Sequence, residues 1–66
     1  MRGSFNRAYF SKVRKGDYVF LMDDQVLQLV LKRGRKLVKL ENQQSKKVTW
    51  VTQMRFNLND YYHLVK

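Results

Sequence analysis

The chain has 66 residues, enough for one small domain and no second. It contains no cysteine and one histidine, which excludes disulfide staples and multi-histidine zinc sites, so no metal or other cofactor is expected and the core must come from packing. Fourteen Lys and Arg against five Asp and Glu leave a formal charge of +9, the footprint of a chain that meets a polyanion.

Met1-Arg2-Gly3-Ser4 has the look of an expression leader and is given no structural weight. Residues 1–15 carry five cations and no acid, and read as a basic N-terminal arm or a short helix. Phe5, Ala8, Tyr9 and Val13 fall at helical spacing behind Ser4 as N-cap, while Tyr9 and Phe10 would equally anchor an extended arm. Gly16-Asp17 signals a turn, and Tyr18-Val19-Phe20-Leu21-Met22 is a strand rich in aromatic and β-branched residues. With both of its faces apolar, it is either covered twice or exposes Tyr18 and Phe20. A turn at Met22–Gln25 follows, its paired aspartates suited to the first turn positions.

Val26–Leu31 is an almost continuous apolar run, too short for a comfortable helix, and Leu37, Val38 and Leu40 supply a return strand. Between them, Lys32-Arg33-Gly34-Arg35-Lys36 forms a basic hairpin with glycine where positive φ is expected. The polar segment Asn42–Lys46 connects to Lys47–Thr52, a strand with Val48 and Trp50 on one side and Thr49 and Val51 on the other. Gln53-Met54-Arg55 reads as a brief turn or one turn of 3₁₀ helix, Phe56-Asn57-Leu58 as a short fifth strand, and residues 59–66 as a tail that adds a last strand or packs on the barrel.

Five short strands without proline suggest a small antiparallel barrel, and the order of signals says more than the count. Gly16-Asp17-x-Val19 opens the first strand, a long apolar strand and the Gly34 hairpin follow, and Trp50-Val51 runs through a kink into Phe56-x-Leu58. This pattern resembles the SH3-like small barrels, especially the KOW and Tudor-type modules of proteins that handle RNA, DNA or the transcription and translation machinery. The glycine that KOW modules carry after the first strand is replaced here by Asp23-Asp24-Gln25. The resemblance covers residues 16–58 and implies a mainly β fold, a five-stranded antiparallel SH3-like barrel with binding loops at one end. An OB-fold would need a helix that Asn42–Lys46 is too short to supply.

Lys32, Arg33, Arg35 and Lys36, with Lys39 continuing along the strand, are expected to contact phosphates, joined by Lys46, Lys47 and Arg55. The bland alternative is a solvated hairpin tip that discourages edge-to-edge pairing. Tyr18, Phe20 and Trp50 are the residues that could stack on an unpaired base, although a lone tryptophan in mid-strand serves a small core equally well. Strong positive charge disfavours an aromatic cage for a methylated cation. No serine sits in a nucleophile elbow, Asp23 and Asp24 are adjacent rather than paired across a pocket, and His63 lacks a second ligand, so an enzyme is not expected. The reading is a module that holds nucleic acid, DNA or RNA, by its backbone with little sequence preference. The alternative is an adaptor or inhibitor that docks on an acidic protein. No apolar stretch approaches the roughly 20 residues of a membrane helix and no secretory leader is evident, so an intracellular setting is expected.

Overall fold

A computed structural model describes residues 4–65, with side chains described from 6 to 63; residues 1–3 and 66 lie outside the described part. The fold is mainly β. Its strands are β1 (Ser4–Arg7), β2 (Tyr18–Leu21), β3 (Gln28–Arg33), β4 (Leu37–Asn42), β5 (Val48–Thr52) and β6 (Tyr61–Val65), with a 3₁₀ turn at Phe10–Lys12 and one helix, α1 (Gln53–Leu58). All pairings are antiparallel, in the order β1-β6-β2-β3-β4-β5. The described residues form six strands rather than the expected five, and β1 and β5 are the edges of a sheet whose pairing does not close.

Alternation along the strands decides what is buried. Val30 lies opposite Leu40, and Val38 opposite Val51, so these three valines and one leucine share one face. With Val19, Ala8, Phe10, Val13, Phe56 and Tyr61 they form the core. Three aromatic rings anchor it. Phe56 stacks on Tyr61 with centroids 4.4 Å apart and meets the Phe10 ring edge-on at 6.3 Å.

Helix α1 corrects the expected fifth strand at Phe56-Asn57-Leu58. Thr52 caps it, its Oγ1 accepting a hydrogen bond from the Arg55 N–H at 3.2 Å. A period-2 reading would place Phe56 and Leu58 on the same side. Coiling into a helix instead buries Phe56 completely and leaves Leu58 in solvent. Asn57 ties the helix to the N-terminal segment: its Oδ1 accepts from the Phe10 N–H at 3.0 Å, and its carbonyl from Arg7 Nη2 at 2.6 Å. Arg7 also forms an ion pair with Asp60 at 2.7 Å.

The N-terminal segment combines an extended strand with one helical turn. Ser4 is not a helix cap: it opens β1, which pairs with β6, and the only helical piece is the single 3₁₀ turn. Strand β3 also starts later than the apolar run beginning at Val26 implies, at Gln28. Gly34 does not adopt positive φ. The left-handed glycine is Gly16, at φ +96°, where the backbone turns into β2 and its N–H donates to the Val30 carbonyl at 2.8 Å.

Candidate nucleic-acid interface

The β3–β4 hairpin and the sheet face that continues from it hold most of the cations singled out in the sequence. Register sets which way each one points. A β-bulge at Leu31 shifts the pairing between Val30 and Lys32, so that Lys32 lies directly opposite Lys39 and Arg33 opposite Val38. Lys39 is in turn opposite Trp50. Lys32, Lys39 and Trp50 therefore form one row across three strands, on the face turned away from Val30, Val38 and Val51. Without the bulge, Lys32 would sit on the core face. The Lys39 ammonium lies 5.6 Å from the centroid of the Trp50 ring, within cation–π range.

Arg35 and Lys36 are exposed at the tip, closed by a hydrogen bond from the Gly34 N–H to the Leu37 carbonyl at 2.8 Å. Arg33 is drawn aside, its guanidinium 5.3 Å from the centroid of the Phe10 ring. The N–H of Gln53, at the start of α1, donates to the Lys36 carbonyl at 2.8 Å, which puts the helix carrying Arg55 beside the hairpin. The pairing of β2 with β3 sets the Arg14-Lys15 turn at this same end. Lys46 and Lys47 are not brought to it. They lie in the β4–β5 turn at the other end of β4, the end that also holds Glu41 and the Asp23-Asp24 turn.

None of the eight cations proposed from sequence has a carboxylate partner among the described residues. The acids are largely used locally. Asp17 accepts from the Arg14 N–H at 2.9 Å, Asp24 from the Val26 N–H at 3.0 Å, Glu41 from the Gln43 side chain at 3.1 Å, and Asp60 binds Arg7. One end of the sheet is thus strongly positive, and the negative charges are turned to other tasks.

Of the aromatic candidates, Tyr18 is 46% exposed, on the same outward side as its partner Leu29. Phe20 is not available for stacking: it is only 6% exposed, beside the ring of Tyr62. Trp50 is 50% exposed, on the outward face of β5, while its neighbour Val51 faces the core. No family model matches the chain, and no curated protein or solved structure is significantly similar to it.

Sequence inspection missed three contributors to this surface. Leu37 and Val48 are exposed apolar residues beside the Lys39–Trp50 pair, and period-2 alternation from Val38 and Val51 would have placed both outward. The third is the helix, whose Met54 and Leu58 are each 72% exposed. With Lys36, Thr52, Gln53 and Asn57, Met54 lines a shallow open depression of about 470 Å³ next to the hairpin. Thr52 followed by a run free of glycine and proline was the available signal for that helix. No helix among the described residues is long and apolar enough to cross a membrane.

Proposed function

We propose that this protein is a nucleic-acid-binding module that holds the phosphate backbone on the positive end of its sheet, and that it is not an enzyme. The observation that carries the reading is the Lys32–Lys39 pair. Two ammonium-bearing side chains face each other directly across a β-ladder, a placement that costs stability, and no carboxylate lies between them. Arg35 and Lys36 add exposed charge one turn away. A polyanion relieves this repulsion, whereas a merely solvated tip has no need of opposed lysines. Phosphate contacts position without specifying, so sequence preference is expected to be low.

The proposal extends to the fold family and the setting. Strands β2 to β5 follow one another as antiparallel neighbours, a helical turn follows β5, and β6 returns to pair with β2. That order supports an SH3-like barrel of the KOW or Tudor type, opened at one seam and extended by β1. An intracellular location is where such a module would find its ligand.

The test is a salt series with a 12-base-pair duplex and a 12-nucleotide single strand. With about five phosphates neutralised, log K falls against log salt with a slope near −4 to −5 on duplex and about −3.5 on single strand. Replacing Lys32, Arg35 and Lys36 by glutamine should flatten the slope by about 2 to 3 on either. Arg33 is left in place because it packs over Phe10. Affinity independent of salt, or unaltered in the triple variant, rejects the proposal.

A second reading has its own support. Exposed Met54 and Leu58 stand one helical turn apart beside Lys36, the kind of surface that docks on an acidic protein carrying an apolar patch. Met54→Glu separates the two, since it should abolish protein docking and leave a duplex salt slope within about one unit of the original.

A further inference from the structure

We propose, resting on the nucleic-acid reading above, that the ligand is single-stranded, with an unpaired base stacked on Trp50 and the flanking phosphates held by Lys39 and Lys32. Trp50 is the chain's sole tryptophan, and half of its surface is open although it sits mid-strand. It is held on the scaffold rather than on a loop: its two neighbours in β5, Thr49 and Val51, pair with Leu40 and Val38 of β4. Exposed Leu37 and Val48 extend the apolar ground on either side. The Lys39 ammonium already lies against the indole, so charge and π-face are presented together.

These features select among polyanions. A duplex turns its bases inward and offers phosphates alone, which leaves the indole and its apolar surroundings unused. A single strand offers phosphates and free base faces together, and base–aromatic stacking does not depend on sequence. An acidic polypeptide would satisfy Lys32 and Lys39 but offers no π-face to Trp50. Among the described strand residues the carboxylate on this face is Glu41, and it accepts a hydrogen bond from the Gln43 side chain at 3.1 Å.

Trp50 emission reports on this site alone, and it can be followed while the protein is titrated with a 12-nucleotide oligothymidylate, an abasic strand with the same number of phosphates, and a 12-residue oligoglutamate. The expected result is quenching by the oligothymidylate, and affinity for it between about fivefold and 150-fold above that for the abasic strand. With affinities read from the anisotropy of dye-labelled strands, because neither variant retains the tryptophan, Trp50→Phe should keep most of this preference. Trp50→Leu should reduce the ratio to about one while abasic binding is unchanged. Equal affinity for intact and abasic strands, without quenching, overturns the stacking proposal and leaves the phosphate reading standing. Quenching and tight binding by oligoglutamate overturn it in favour of an acidic protein. Failure to bind either strand while the 12-base-pair duplex still binds overturns the single-strand proposal alone, and failure to bind the duplex as well overturns the nucleic-acid reading itself. The wild-type comparison of intact and abasic strands decides the matter even where a variant misfolds.

Discussion

Replacing Phe56 and Trp50 by alanine, one at a time, tests how this small fold divides its aromatic residues between stability and binding. Phe56 is fully buried, stacked 4.4 Å from Tyr61 and edge-on to Phe10. Its truncation leaves a cavity closed on all sides, and losses of about 3–5 kcal/mol are typical for such a site. The two ring contacts account for about 0.5–1.5 kcal/mol each of that loss. A chain of 66 residues has only about 3–10 kcal/mol of stability, at roughly 0.05–0.15 kcal/mol per residue. Phe56→Ala should therefore be mostly unfolded at 25 °C. Trp50 is half exposed on an edge strand, so its truncation removes on the order of 100 Å² of contact and opens no cavity. That corresponds to about 2–3 kcal/mol, an upper estimate because the unfolded chain is itself partly collapsed. Urea unfolding followed by circular dichroism measures both, with Phe56→Leu supplying a folded variant of intermediate cost. If Trp50→Ala were as damaging as Phe56→Ala, the assignment of Trp50 to the surface and of Phe56 to the core would be wrong.

The glycines should respond in opposite ways. Gly16→Ala forces a Cβ into a φ of +96° and should cost about 1–2 kcal/mol, whereas a Cβ at Gly34 meets only the Leu37 carbonyl at 3.6 Å, so Gly34→Ala should be neutral or stabilising by up to about 1 kcal/mol. Thermal denaturation of the two variants gives the answer, and equal shifts would count against the turn geometry. Lys46 holds φ +66° in the β4–β5 turn, so Lys46→Gly should raise stability by about 1 kcal/mol. Because it lies away from the basic hairpin, the same variant should change the duplex salt slope by less than about one unit. Burial raises the Tyr61 hydroxyl pKa above 10.0, and the Asp24 carboxylate raises it further. The folded protein then keeps a proton that the unfolded chain releases near pH 10, so this stability is complete below pH 10 and is lost as pH climbs towards the folded value. Tyr61→Phe should remove that alkaline loss, as read from unfolding midpoints between pH 9 and 11.

Local chemistry alone was enough to read the middle of the chain. Strands at Tyr18–Leu21, Leu37–Asn42 and Val48–Thr52 follow from branched and aromatic residues between polar turns, and the cationic cluster at 32–36 is visible without coordinates. What lay beyond that reading depends on partners distant in sequence. Phe56-Asn57-Leu58 suits strand or helix by itself; the need to fill the space between Phe10 and Tyr61 makes it helix, with Thr52 as cap. β1 exists because β6, more than fifty residues later, offers it an edge. Trp50 was ambiguous because alternation says which residues share a face but not which face is covered. Coverage depends on where the 3₁₀ turn and α1 settle, and here they close over Val38 and Val51 rather than over the indole. The pairing of Lys32 with Lys39 likewise turns on one extra residue in a ladder, the bulge at Leu31, which composition cannot register and three-dimensional packing decides.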